Sequence, residues 1–317
     1  MGTYLVTGGA GFIGSHIAEA LVQRGDRVRI LDNLSTGRRE NIASIADDVE
    51  FVEGDVADQA AVERALRGVE NVFHQAALAS VPRSVEYPLD TNLACVTGTV
   101  TLLDQARRAG VRRVVYAGSS SAYGDQPSSS KRETDLLQPL SPYAAAKLGA
   151  EMYCQAFFHT YGLQTVTLRY FNVFGPRQDP ASPYSAVIPL FITALLEGRP
   201  PIVYGDGRQS RDFTFVANVV HGNLLAMDST SAEVPGQCIN VADGQATTLL
   251  ELLATLNEML GTQVAPRFEP PRVGDVRESM ADITRARTLL GYEPPVAFHE
   301  GLRRSIHYYR SMATGIP

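Results

Sequence analysis

Lysine is almost missing: Lys131 and Lys147 are the two in 317 residues, so arginine carries nearly all of the 28 basic charges. Cysteine is scarce as well. Cys95, Cys154 and Cys238 are odd in number and far apart, which excludes a disulfide framework and reads as reduced, buried thiols of a cytoplasmic protein. The six histidines include no pair at ligand spacing, so no metal site is expected. No basic run offsets a formal net charge of -6, and nucleic acid has no electrostatic reason to bind. No apolar stretch reaches the roughly 18 residues of a membrane helix. The opening MGTYLV lacks a signal peptide's basic segment and the hydroxyl residue at position six of a myristoylation signal. A cytoplasmic location without membrane partners is therefore expected.

What is present describes a folded protein: 44% hydrophobic and 20% charged residues, in a chain long enough for two domains. No repeat or low-complexity tract appears. Short apolar, β-branched runs at Tyr4–Thr7, Arg27–Leu31, Glu50–Glu53, Asn71–His74, Arg113–Ala117 and Gln164–Arg169 read as strands. Helical stretches fall between them at Ile13–Arg24, Gln59–Arg67, Leu89–Ala109 and Ala144–Tyr161. This alternation predicts an α/β fold with a Rossmann-type, doubly wound parallel sheet covered on both faces. From Asn172 onward Pro176, Pro180, Pro183 and Pro189 break the regularity. The expected organisation is a dinucleotide-binding domain over 1–171 and a smaller mixed α/β lobe over 172–317. The chain is expected to return to the first domain around 212–242, with Phe213–Val216 as the rejoining strand.

YLVTGGAGFIGSHIAEAL is a strand, a glycine turn and a helix. Gly8, Gly11 and Gly14 allow a tight turn, a close backbone approach to a pyrophosphate, and close packing of helix on strand. The helix N-terminus then offers unpaired N–H groups to phosphates. A second strand ends at Asp32, about 20 residues on, where an acid binds a ribose and repels a 2′-phosphate, favouring NAD over NADP. Asp55, closing the third strand in GDVAD, reads either as a loop or helix cap or as a contact to the adenine amino group.

SPYAAAK sets Tyr143 and Lys147 four apart, on one face of a helix. Chance supplies about 0.08 such pairs in this composition, so the context beyond a cofactor motif carries the argument. A phenol has a pKa of about 10, too high for a base at neutral pH, and a neighbouring ammonium together with a cationic nicotinamide would lower it. A serine of GSSSAYG at the end of the preceding strand could hold the substrate oxygen.

The segments TGGAGFIGSHI, HQAALASVPRS, GSSSAYGD, SPYAAAK, RYFNVFGPRQDP, GDGRQSRDF and RVGDVRES together resemble an extended short-chain dehydrogenase/reductase over essentially the whole length. Within that superfamily the chain is similar to the nucleotide-sugar 4-epimerases, and most of all to those acting on UDP-N-acetylglucosamine. The resemblance implies Ser119, four residues before Tyr123, together with Tyr143 and Lys147 as catalytic residues. Tyr143 phenolate would take a proton from the sugar 4-hydroxyl, steadied by Ser119, while a hydride passes between C4 and a retained NAD. The 4-keto sugar would turn over and be reduced on its other face.

It also implies an NAD site. Gly8, Gly11, Phe12 and Ile13 would come from the turn, and Asp32, Asn33, Ser35, Thr36 and Gly37 from the second strand's end. Asp55, Val56, Gln75, Ala76, Ala77 and Asn92 would follow, with Tyr143, Lys147 and Tyr170 beside the reacting ring. For the UDP-sugar the resemblance implies Ser80, Ser119, Ser120, Ser121, Tyr143, Asn172, Ala186, Val187, Tyr204, Arg211, Arg272, Asp275 and Ser279. Arg211 and Arg272 match diphosphate clamps, since bidentate arginine suits phosphate oxygens, and Asp275 a ribose acceptor.

Two positions separate neighbouring reactions. The family's 4,6-dehydratases carry Asp then Glu where this chain has Ser120 and Ser121, and its decarboxylases keep the Glu. A serine hydroxyl has no accessible ionisation near pH 7, so neither serine can be a general acid or base. Ser279 stands where glucose-restricted epimerases have a tyrosine, leaving room for an N-acetyl group. UDP-GlcNAc/UDP-GalNAc is the expected pair, with UDP-glucose/UDP-galactose as a second. A UDP-glucuronate epimerase, another nucleotide-sugar dehydratase or decarboxylase, and a non-catalytic NAD-binding protein are the alternatives. The last usually loses the tyrosine or lysine, and this chain keeps Lys147 where arginine has displaced lysine nearly everywhere else. The family pairs helices like Leu89–Ala109 and Ala144–Tyr161 into a homodimer, and the same is expected here.

Overall fold

A computed structural model describes residues 2–126, 128, 130–180, 186–271 and 276–314. The first half runs β1 (Thr3–Thr7), α1 (Phe12–Gln23), β2 (Arg27–Asp32), β3 (Val49–Glu53), α2 (Gln59–Ala65), β4 (Asn71–His74), α3 (Val81–Glu86), α4 (Pro88–Asn92), α5 (Gly98–Arg108) and β5 (Arg113–Ser119). Then come β6 (Ser130–Lys131), α6 (Pro142–Tyr161), β7 (Gln164–Tyr170), β8 (Val173–Phe174), α7 (Val187–Leu196), β9 (Ile202–Tyr204), β10 (Ser210–Arg211) and β11 (Thr214–Phe215). The chain closes with α8 (Val216–Asp228), β12 (Cys238–Val241), β13 (Thr247–Thr248), α9 (Leu249–Leu260), β14 (Arg267–Glu269), β15 (Glu278–Ala281), α10 (Thr284–Leu290) and α11 (Phe298–Thr314).

Seven strands form one parallel sheet in the order β12-β7-β5-β4-β1-β2-β3. Successive side chains of a strand point to opposite faces, so a sheet covered on both sides needs apolar residues at every position. Leu5 and Val114 accordingly enter one core with residues of α2, α5 and α6, while Val6 and Val115 enter the other with residues of α1 and α8. The strand order reverses between β1 and β4, which opens a crevice at the C-terminal ends of the strands.

All six expected strands are in this sheet. The rejoining strand is not at Phe213–Val216: Thr214–Phe215 pairs with Val173–Phe174 in a separate two-stranded ladder, and Val216 starts α8. Phe213 and Phe215 are drawn instead into the second core with Phe174 and Phe298. The seventh strand is the four-residue β12, registered with Ile239 opposite Leu168. The expected helix over Leu89–Ala109 is interrupted by a wide turn at Leu93–Thr97, where the Gly98 N–H reaches back five residues to Leu93 O. Its fully buried Cys95 faces the site described next.

The second lobe has its own core, with Ile188, Phe191 and Ile192 of α7 packed near Leu252 and Leu256 of α9 and Leu302 and Ile306 of α11. A four-stranded sheet, β13-β10-β15-β6, joins the lobe to the segment after β5. Buried Lys131 sits in that sheet, and its ammonium donates to the carbonyls of Gln126 and Ser128. Buried Asp212 accepts from the N–H groups of Asp243, Gly244 and Ala281, tying the end of β10 to β15 and to the turn after β12. Among the described residues no helix is long and apolar enough to cross a membrane.

Candidate active site

Strand β5 delivers Ser119 to the crevice in register with Tyr170 of β7. The chain then makes one tight turn, Ser120–Tyr123, which Ser119 caps by accepting from the Ser121 N–H at 3.2 Å. The Ser119 and Ser121 hydroxyl oxygens are 2.8 Å apart. Helix α6 starts nearby because Ser141 accepts from the Ala144 N–H and Pro142 occupies the first helical position. That start places Tyr143 in the first turn and Lys147 one turn later, on the face toward the sheet.

A cavity of about 670 Å³ lies between the lobes, and Ser119, Ser120, Ser121 and Tyr143 line it on the sheet side. Tyr170, Asn172, Ala186, Val187, Tyr204, Arg211 and Ser279 also line it. The β10–β15 register sets Arg211 opposite Ser279. Ser80 does not reach the wall; its hydroxyl caps α3 by accepting from the Arg83 N–H. Arg272 and Asp275 lie outside the described residues. An apolar wall of Val81, Val85, Leu140, Leu190 and Ile202 was not foreseen, because no spacing within any one segment marks it. A more open hollow of about 950 Å³ around Arg132, Glu133, Asp282 and Arg285 contains none of the expected residues.

The crevice fits a dinucleotide. Gly8 has φ +66, and a Cβ there would lie 2.7 Å from the Ala76 N, so the glycine turn abuts the segment carrying Gln75, Ala76 and Ala77. A Cβ on Gly14 would meet the Gly8 carbonyl oxygen at 2.2 Å, which is how closely α1 packs on the turn. Gly11 caps α1 without any side-chain bond, and its carbonyl takes the Ser15 N–H, which leaves the N–H groups of the first turn, Phe12, Ile13 and Gly14, for an anion. Phe12 and Ile13 also line the cavity. The Asp32 carboxylate accepts from Ala10 N and Leu34 N, packs against Gly37, and keeps lone pairs for ribose hydroxyls. Burial raises its pKa, and those two N–H donors oppose the rise.

Asp55 does what a loop cap does, accepting from Ala57 N, and it also accepts from the Asn33 side chain. Val56 is buried, whereas Ser35, Thr36 and Asn92 are exposed. Gln75 and Asn223 both hydrogen-bond the Tyr170 hydroxyl and fix that ring at the cavity floor.

Lys147 is not among the groups that shift Tyr143. Burial pushes the Tyr143 phenol up to about 12, the Cys95 thiol adds to this, and the facing Ser119 side chain pulls the other way. The ammonium is directed elsewhere: Nζ lies 4.4 Å from the centre of the Tyr116 ring. Burial lowers the Lys147 pKa, while Cys95, Cys154 and Glu151 oppose that change.

Beneath these residues His74 is buried between two hydroxyls, Thr7 at 2.7 Å from Nδ1 and Thr99 at 2.9 Å from Nε2. Burial, reinforced by Lys147, lowers its pKa from 6.5 to about 3. Between those values the unfolded chain binds a proton that the folded one does not, so this residue makes stability fall as pH falls. His16, lowered to about 4, acts in the same direction, and Asp212, raised to about 7 by burial, acts in the opposite one. The His74 contribution is therefore read as a difference. Between pH 6.5 and about pH 5, wild type should lose about 2 kcal/mol more than His74→Gln, measured by urea unfolding. Equal losses would show that His74 is not held neutral.

Comparison with known proteins agrees with this geometry. A family model described as the NAD dependent epimerase/dehydratase family matches residues 4–242. The UDP-glucose 4-epimerase of Mycolicibacterium smegmatis is 41% identical over 316 residues, covering 97% of this chain and 98% of its own. The UDP-N-acetylglucosamine 4-epimerase of Methanobrevibacter ruminantium, solved with UDP-N-acetylmuramic acid, superposes with a TM-score of 0.93. It is 39% identical, over 98% of this chain and 99% of that one. The UDP-glucose 4-epimerase of Thermus thermophilus, solved with NAD, is 38% identical with a TM-score of 0.89, over 97% of this chain and 99% of that one.

Proposed function

The chain belongs to the NAD dependent epimerase/dehydratase family, and from that premise we propose that this NAD-dependent UDP-sugar 4-epimerase interconverts UDP-GlcNAc and UDP-GalNAc, with UDP-glucose and UDP-galactose as a second pair. The observation that carries the sugar choice is Ser279, a small side chain on the cavity wall directly across from Arg211. A serine leaves volume for an acetamido group that a tyrosine would fill.

The reaction follows from the side chains present. Tyr143 takes the proton of the sugar 4-hydroxyl, and Ser119, facing the same phenol, holds that oxygen in place. Bound NAD supplies the acceptor and donor of the C4 hydride. Arg211 is the described arginine on the wall and binds the diphosphate, while Asn172 orients the sugar beside it. Ser120 and Ser121 add hydroxyls but no acid, and among the described residues lining the cavity there is no carboxylic acid to expel water from the sugar ring. The segments expected in a homodimer expose Leu89, Leu93, Met152 and Tyr153 along α4, the wide turn and α6, and this shared apolar face supports pairing there.

The test is to incubate purified protein with UDP-GlcNAc and with UDP-glucose, adding no cofactor, and to resolve products by NMR. The expected product of each is its C4 epimer. Ser279→Tyr should cut kcat/KM on the acetamido pair by about tenfold or more and spare the other pair. Turnover of UDP-glucuronate alone, or a dehydrated product, would overturn the sugar assignment.

A further inference from the structure

We propose that Tyr116 is a positioning residue whose ring face seats the ammonium of Lys147 and whose hydroxyl fixes the same lysine's backbone. This deepens the epimerase reading and rests on it. Two contacts from one side chain support it. The Lys147 Nζ lies 4.4 Å from the ring centroid, and the Tyr116 hydroxyl donates to the Lys147 carbonyl at 3.2 Å. Tyr116 is 1% exposed and Lys147 3%, so the contact is shielded from water, where a cation over an aromatic face is worth most. Among the described residues Nζ donates to no protein acceptor.

The seat is built by strand register. Thr7, His74, Tyr116 and Thr167 are direct partners across β1, β4, β5 and β7, and thus lie in one row on one face of the sheet. The His74 ring leans on Tyr116 at 5.6 Å, and the hydroxyls of Thr7 and Thr99 lock it. A phenol in this row stays neutral, because burial raises its pKa well above the ordinary value. It can therefore offer a π face and an O–H donor, but no competing negative charge.

Other groups also face Lys147. On its own helix these are Glu151 and Cys154, with Glu151 already paired to Arg169 of β7 and Tyr143 one turn earlier. Cys95 comes from the wide turn and neutral His74 from β4. Helices α3, α4 and α5 also pack on α6, yet none of their charged side chains is among the groups that shift Lys147. Glu151 favours the ammonium, but its charge is shared with a guanidinium, which leaves the ring as the neighbour touching Nζ.

The scarcity of lysine makes this directly measurable. Full-length protein labelled with ¹³C at lysine Cε gives two signals, which Lys131→Arg assigns. Tyr116 is replaced by phenylalanine, 3,5-difluorophenylalanine and 3,4,5-trifluorophenylalanine, a series of nearly constant size and progressively weaker ring face. The expected result is a Lys147 titration midpoint that falls stepwise, by about one pH unit from the first to the last. The Lys131 signal should stay fixed, and the alkaline limb of kcat/KM on the UDP-sugar should move with Lys147. A Lys147 midpoint unchanged along the series, in protein that still turns over, would overturn the seat. Absence of 4-epimerisation in wild type would instead sink the reading of the function.

Discussion

Tyr143→Phe is expected to fold, to retain its dinucleotide and to lose turnover by roughly 10²–10⁴-fold, the range spanned by removal of a general acid–base. The substitution removes one oxygen from a ring already placed by the Ser141 cap and Pro142, so nothing in the start of α6 has to move. Kinetics on UDP-GlcNAc and thermal unfolding of the same preparation check both halves. Wild-type turnover in this variant would eliminate the base. Burial pushes the phenol up to about 12, which disfavours phenolate at pH 7. The Lys147 ammonium, which lies over the Tyr116 ring, is not among the groups that offset that. A cationic nicotinamide beside the phenol would favour phenolate, so ultraviolet titration should show a lower midpoint with NAD added than without it.

The second large effect concerns stability. Glu151 and Arg169 form a bidentate pair with side chains 1% and 2% exposed, and Arg169 also lies 4.7 Å over the Tyr123 ring. Removing one partner leaves an uncompensated charge in the core, so Glu151→Ala should cost on the order of 3–5 kcal/mol in urea unfolding. Replacing both, as in Glu151→Leu with Arg169→Met, should restore most of that loss, since two apolar groups need no mutual neutralisation. A double variant as unstable as the single one would mean that the pair matters through packing rather than charge. One nitrogen of Arg169, Nη1, is already buried without a hydrogen-bond partner among the described residues, which makes the guanidinium especially dependent on Glu151.

The parallel sheet was legible because its strands are buried on both faces, and runs such as VVYA and TVTLR are apolar or β-branched at almost every position. β12 was not, because CINV is four residues long and its pairing with β7 is decided in space. FTFV looked more strand-like, yet its aromatic rings are claimed by the lobe core that also takes Phe174 and Phe298. Helical periodicity could not reveal the wide turn at Leu93–Thr97, which lengthens the hydrogen-bond step locally without disturbing the apolar pattern much. The hydroxyls and the lysine were legible as motifs at strand and helix ends. The state of Tyr143 was not, since burial sets it. Tyr116 and His74 went unnoticed for a related reason: their significance comes from register across four strands, which no single segment contains.

The position of β12 in the sheet bears on how the chain assembles as it is synthesised. Strands β1 to β5 and β7 are contiguous partners, so a six-stranded sheet can form before most of the second lobe has left a ribosome. Until Cys238–Val241 arrives, the outer side of β7 presents unpaired backbone groups, the kind of edge that recruits the wrong strand. Truncation between the end of β7 and β12 is therefore expected to leave an adhesive sheet edge exposed rather than a finished small domain.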